Sequence, residues 1–263
     1  MTASLYKLLF VLVLFNSCGE FNYSPYTTNI KDKNLNDKNL ASLDQRNPLF
    51  TSTYKIAVIS DTHDYYKELE KQIKYINLHQ NEYAFVIHTG DSTNLGLLIE
   101  WEMFYSFLSK LEIPFIVAIG NHDMLTNGEN IFKQYFGDKL DFSFVFKQTE
   151  FFIINNNNWE STVQVPDLDK LDRSLASSTA VNKIVLSHVA PDDTDRFSSS
   201  EISKTKNIIN SNNIKYYVNG HNHNYTSSQF GSATNVTVGS SHVGVLLELN
   251  ISNTGVTHNF IDM

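Results

Sequence analysis

The chain has 263 residues, with 20 Lys and Arg against 28 Asp and Glu, for a formal net charge of −8. That acidity, with no basic patch beyond isolated Lys or Arg, argues against nucleic-acid binding, which rests on cations set against phosphates. Hydrophobic residues make up 41% of the chain, enough for a globular core, and its single cysteine leaves no partner for an intrachain disulfide.

Near the start, Lys7 precedes the apolar run Leu8 to Phe15, followed by Asn16-Ser17-Cys18. The run is shorter than the roughly 20 residues that span a bilayer as a helix, and residues 1–17 have the form of a signal peptide. They resemble a bacterial lipoprotein signal, with a small residue before the cysteine and Phe15 where leucine is usual. The resemblance implies lipidation of Cys18 and an envelope location, with the membrane reached through the lipid anchor only. An ordinary signal peptide with a leftover thiol is the alternative, and both readings export the chain. Residues 18–53 are rich in Asn, Asp, Lys, Ser and Thr. With few apolar groups to offset chain entropy, they are expected to form a flexible tether to one folded domain over residues 54–263.

Within that domain, five short apolar runs each lead into a polar cluster. Lys55–Ser60 precedes Asp61-Thr62-His63, and Ala84–Thr89 precedes Gly90-Asp91. Pro114–Ile119 precedes Gly120-Asn121-His122-Asp123, Lys183–Ser187 precedes His188, and Lys215–Asn219 precedes Gly220-His221-Asn222-His223. Continuous runs of this length read as strands buried on both faces of a mainly parallel sheet. Helices are predicted over Tyr66–Leu78, Leu97–Leu111, Leu168–Leu175 and Glu201–Asn210, the second presenting Trp101, Phe104, Phe107 and Leu108 on an inward stripe. Phe142–Phe146 and Phe151–Ile154 read as paired strands before a polar loop, Asn155–Asn158. Val236–Gly239, Val243–Leu249 and Val256–Ile261 read as terminal antiparallel strands.

Sheets of this kind bind ligands outside the carboxyl ends of their strands, so all five clusters should converge on one edge. Their donors are carboxylate, amide oxygen and imidazole without thiolate, a set suited to manganese, iron, zinc or cobalt better than calcium. In an extended His221-Asn222-His223 segment both imidazoles would lie on one side and could serve two neighbouring ions. Each cluster alone is weak, since a lone Asp-x-His or His-x-His is usually a surface loop or a satisfied polar pair. Five at five strand ends are specific. His79 reads as a solvated helix residue, His88 as a strand residue facing a neighbour, and His242 and His258 as structural, although His242 could rim the site. Ser187-His188 is no catalytic dyad, because adjacent strand residues point to opposite faces.

At these residues the chain resembles the calcineurin-like metallophosphoesterase superfamily, whose pattern D-x-H, G-D, G-N-H-D/E, a lone H after a strand and G-H-x-H is present in order from about Tyr54 onward. The resemblance implies an α/β fold, a four-layer α-β-β-α sandwich of the metallophosphoesterase type. It implies one divalent metal on Asp61, His63, Asp91 and His223. A second would sit on Asp91, Asn121, His188 and His221, with Asp91 bridging. It also implies that His122 contacts the substrate and protonates the leaving group, and that Asp123 orients nearby groups. Phosphoprotein phosphatases of this superfamily carry G-D-x-x-D-R-G at the second motif. Here Asn94 and Leu95 stand in the Asp and Arg places, and leucine cannot make the bidentate phosphate contact of arginine. Gly90-Asp91-Ser92-Thr93-Asn94-Leu95-Gly96 looks instead like the branch containing class III cyclic-nucleotide and glycerophosphodiester phosphodiesterases, with Asn94 able to hydrogen-bond an ester oxygen.

The reading is a two-metal hydrolase of a small phosphoester, a phosphodiester in preference to a monoester. The alternatives are a phosphomonoesterase with the same site, or a non-catalytic surface-binding lipoprotein on this fold. A metal-dependent amide hydrolase lacks its H-E-x-x-H helix motif. Specificity is expected from the loops Asn155–Asn158 and Pro191–Phe197. In the second loop Asp192, Asp193 and Asp195 either rim the mouth or form a solvated turn.

Overall fold

A computed structural model describes residues 30–263; the apolar run at residues 8–15 and Cys18 lie outside the described residues. Two sheets face one another. The first has strand order β11-β10-β1-β2-β3, with β1 at Tyr54–Ile59, β2 at Tyr83–His88, β3 at Phe115–Val117, β10 at Val245–Ser252 and β11 at Gly255–Asp262. The second has order β4-β5-β6-β7-β9-β8, with β4 at Phe142–Phe146, β5 at Thr149–Ile153, β6 at Asn182–Leu186, β7 at Tyr216–Asn219, β8 at Thr226–Phe230 and β9 at Ala233–Thr237. The pairs β1·β2, β2·β3, β5·β6, β6·β7 and β7·β9 are parallel.

Side-chain alternation along these strands divides the core into three. Ile56 and Val58 of β1, Phe85 and Ile87 of β2, Ile184 and Leu186 of β6, and Val218 of β7 fill the space between the sheets. Ala57 and Ile59 point the other way, to a layer holding Leu69, Ile73 and Ile76 of α2 (Tyr66–Leu78), Trp101 and Phe104 of α3 (Leu98–Leu108), and Ile131, Phe132 and Phe136 of α4 (Gly128–Phe136). Val185 and Tyr217 meet Leu171 and Leu175 of α5 (Leu168–Ser177) and Ile208 and Ile209 of α6 (Ser199–Ser211) on the opposite face. The result is the four-layer α-β-β-α sandwich expected. Helix starts follow local chemistry: Ser198 and Glu201 form a reciprocal capping box for α6, and Asp167 accepts the Lys170 N–H at the start of α5.

Residues 30–53 depart from the expected tether. Leu35–Arg46 form a helix, α1, against the free edge of β3. The Asn36 amide donates to the Val117 carbonyl and accepts from the Val117 N–H, both at 2.9 Å. Asn39 accepts from the Phe115 N–H, and Arg46 donates to the carbonyls of Gln80, Tyr83 and Ala84. An unpaired strand edge is a liability that proteins cover, and here asparagine side chains replace the missing strand. The polar composition therefore reflects edge capping; the described folded body begins at residue 30, ahead of Tyr54. A second correction concerns the terminal strands. Val236 and Thr237 close β9, which lies parallel to β7 in the second sheet, whereas β10 and β11 pair antiparallel in the first. No helix among the described residues is long and apolar enough to cross a membrane.

Glu248 is a buried charge within the first sheet. Lys55 Nζ lies 3.2 Å away, and Tyr83, Asn250 and Asn259 donate to its carboxylate. Burial pushes this carboxyl up, and the donors from Tyr83, Asn250, Lys55 and Asn259 outweigh it, leaving the group below its ordinary range. Glu248→Gln is expected to destabilise the domain by about 1–3 kcal/mol at neutral pH, read from urea unfolding. A lowered folded pKa contributes stability above the unfolded value, about 4.3 for glutamate, and loses it as pH falls through the folded value. A deficit that stayed constant down through that window would assign the effect to packing instead of charge.

Candidate metal centre

Strands β1, β2, β3, β6 and β7 each lead into a turn that brings a polar side chain to one cleft. Asp61, His63, Asp91, His221 and His223 all have positive φ, between 47° and 70°, a region that Asp and His enter more readily than most residues. Two glycines permit the close approach. A Cβ at Gly120 would collide with the Asp91 backbone and carboxylate, and one at Gly220 with the side chains of Ser60 and Asp61.

The cleft holds two ligand groups, Asp61–His63–His223 and Asp91–His188–His221, in each of which the ligating atoms lie within 4.8 Å of one another. His63 Nε2 is 3.2 Å from His223 Nε2, and His223 Nε2 is 3.4 Å from Asp61 Oδ1. In the second group His188 Nε2 is 3.1 Å from both Asp91 Oδ2 and Asn121 Oδ1. Asp91 Oδ2 also lies 3.7 Å from His63 Nε2, so this carboxylate joins the two groups. All seven residues expected as ligands, Asp61, His63, Asp91, Asn121, His188, His221 and His223, therefore meet in one place.

The donors fit cations. Two imidazole nitrogens face each other across 3.2 Å beside a carboxylate, an arrangement that inward-pointing lone pairs around an ion satisfy. His188 Nδ1 lies 3.1 Å from the Thr89 carbonyl; donating its proton there leaves Nε2 free to ligate, the usual support of a metal-bound histidine. Burial lowers the His188 pKa and the Asp91 charge outweighs it, so the ring lies above the ordinary histidine range. The same pairing keeps Asp91 well below the carboxylate range against the opposing effect of burial. Burial lowers His63 and His221, which favours the neutral rings that ligate.

His122 stands beside these groups without joining them. Its N–H donates to Asp91 Oδ1 at 2.9 Å, and its ring packs edge-on to His63 at 4.9 Å between centroids. Nδ1 lies 2.7 Å from the Asn94 carbonyl. Asn94 meets the cleft through its main chain, as the acceptor that orients His122.

Two residues carry more than the sequence suggested. Asp123 is fully buried, accepting from the Ser92, Thr93 and Gly120 N–H groups and the Thr93 hydroxyl, which locks the turns bearing Asp91 and Asn121 together. His88, also buried, contacts Thr62 Oγ1 through Nε2 at 2.9 Å and accepts the Gly90 N–H at Nδ1; burial depresses it to about 3. It is a neutral brace between the Asp61 and Asp91 turns. The signal for it was its place one strand residue ahead of Thr89-Gly90-Asp91.

The extended His221-Asn222-His223 reading does not hold. Both histidines are left-handed, and this turn, rather than strand alternation, sends one ring to each group. The asparagine loop also differs: Asn155, Asn156 and Asn157 are buried, and Asn156 exchanges two hydrogen bonds with Val189. Asp193 accepts from the Asp195 and Arg196 N–H groups, so it caps a turn. His242 stacks on Tyr65 at 4.5 Å and belongs to neither group.

Residues 54–225, well over half of the chain, match the family model for calcineurin-like phosphoesterases. The chain belongs to that family. Within this phosphoesterase family it is 33% identical over 92 residues to the probable glycerophosphodiester phosphodiesterase GpdQ of Arcobacter nitrofigilis, covering 34% of that protein's length. Among solved structures its fold is similar to the purple acid phosphatase PPD1 of yellow lupin, Lupinus luteus, at TM-score 0.68 and 14% identity, over 81% of this chain and 52% of that one. It is also similar to a dimetal phosphatase of Danio rerio at TM-score 0.59 and 11% identity, over 78% of this chain and 98% of that one. At these identities the structural likeness concerns the fold alone. The phosphoesterase match covers all seven candidate ligands and His122.

Proposed function

We propose that this chain hydrolyses phosphoesters with two divalent ions, manganese, iron, zinc or cobalt, and accepts diesters at least as well as monoesters. The observation that carries the reading is Asp91, a single carboxylate within reach of His63 and His188, one histidine of each ligand group. Bound divalent ions supply an activated water and offset charge on the phosphoryl oxygens. The chain's own contribution is to orient that charge through Asp91 and to present His122 with Nδ1 engaged, so that proton exchange is confined to Nε2.

The diester reading is supported by the similarity to the glycerophosphodiesterase relative and by the cleft's arginine economy. Leu95 stands half-exposed where phosphoprotein phosphatases place arginine. Arg196 is occupied, its Nη1 contacting both Glu160 oxygens at 2.8 and 3.1 Å. A monoester dianion thus finds little cationic help from the protein, and a diester monoanion needs less of it. The test is kcat/KM for a nitrophenyl diester and the matching monoester after chelation and addition of each metal. A monoester preference beyond about tenfold, some 1.4 kcal/mol, would overturn the diester assignment, and activity indifferent to chelation would overturn the two-metal reading.

The lipoprotein-like start extends the proposal to the bacterial envelope. Produced with its own leader in a bacterium, the protein is expected to partition into detergent, and Cys18→Ser to abolish this, because stable anchoring takes more than one acyl chain on the anchor. Wild-type protein found wholly in the medium would favour the ordinary signal peptide.

A further inference from the structure

Trp159 is 64% exposed, and its hidden face is braced. The Arg196 guanidinium lies over that ring face, 4.3 Å from carbon to centroid. Arg196 is itself buried, fixed by Glu160 through its head group and by Asn158 and Asp193 through its main chain. An exposed indole normally samples several orientations; this one is held flat from behind with its other face open. A cation beneath one face also draws electron density from the outer face, which favours an incoming ring stacked on it.

The loop that carries the indole is bonded to the turns that carry the metal centre. Asn157 donates to the Ile119 carbonyl, two residues ahead of Asn121, and Asn156 is bonded to Val189, next to His188. Trp159 follows Asn157 by two residues, a reach of at most about 7 Å.

We propose that Trp159, braced by Arg196 and Glu160, is a stacking platform for a planar aromatic group of the substrate, so that the centre selects phosphoesters carrying a nucleobase or aryl substituent over those carrying a small aliphatic one. The proposal rests on the phosphoester reading above. Two substrates with the same leaving group separate recognition from chemistry: thymidine 5′-(p-nitrophenyl phosphate) and methyl p-nitrophenyl phosphate. Trp159→Ala is expected to lower kcat/KM for the thymidine ester by about tenfold more than for the methyl ester, within the range that base–aromatic stacking gives, while Trp159→Phe restores most of the difference. Loss by the same factor on both esters would overturn the platform.

A binding measurement keeps the two readings apart. Trp101 is wholly buried, so quenching of the exposed indole by AMP reports Trp159. Saturable quenching in the wild-type protein supports the platform, with Trp159→Phe as the control that assigns the signal to Trp159, and its absence from the wild-type protein overturns it. If neither ester is cleaved, the phosphoesterase reading fails and the quenching still decides the platform.

Discussion

Asp91→Asn is expected to lose at least one of two bound ions and to slow turnover by about 10³-fold, several kcal/mol of charge stabilisation at about 1.4 kcal/mol per decade. The substitution is chosen because it keeps the shape of the side chain. Its amide oxygen can still accept the His122 N–H that Asp91 Oδ1 accepts, so the turn should stay in place. What disappears is the charge on the oxygen lying between His188 and His63. Metal analysis after dialysis checks the first part, with at most one equivalent in the variant against two in the parent. A variant that still held two ions would remove Asp91 from the bridging position, whatever its activity.

His122→Ala should behave in the opposite way, with metal content intact and turnover lower by about 10²–10⁴-fold, the range of general acid work. Nδ1 is committed to the Asn94 carbonyl, so the proton delivered to a leaving group must sit on Nε2. The loss should therefore shrink for esters with acidic leaving groups such as nitrophenol, and be largest for alkyl leaving groups. Equal losses on both would assign His122 to positioning. Loss of metal along with activity would show that its contact with Asp91 governs the ligand set.

The central architecture was legible because burial on both faces leaves a strong mark. Ile56 to Ile59 and Phe85 to Ile87 are unbroken apolar runs, and each ends where the polar donors begin. The elements that escaped lack such a mark for identifiable reasons. In α1 the residues that matter, Asn36, Asn39 and Arg46, are polar because they complete backbone hydrogen bonds of a strand edge. α4 does carry helical spacing in Ile131-Phe132 and Tyr135-Phe136, a signal overlooked beside the Gly120–Asp123 motif. β8 is exposed along most of its length and has no apolar pattern to read.

At the cleft, which side chains converge was readable and how they converge was not. Residue types and order fixed which side chains would meet. The left-handed backbone at His221 and His223 has no counterpart in composition, and strand logic gave the right destination for a wrong reason. The asparagine loop was read only as a polar, specificity-bearing loop because nothing in a run of four asparagines shows that its amides bond Ile119 and Val189. The support from His88 and Asp123 depends on contacts across turns distant in sequence.

Five of the cleft's candidate ligands hold a backbone conformation that costs on the order of 1–2 kcal/mol per non-glycine residue. Selection for the centre thus works against the chain's own durability, since easing any of these turns would make a hardier protein and a poorer ligand set. An ion that binds only the folded form returns stability in proportion to the logarithm of its concentration. Metal scarcity should therefore act twice on this protein, first by silencing the copies present and then by shortening their survival against proteases, so that the amount of intact chain follows the supply of ions.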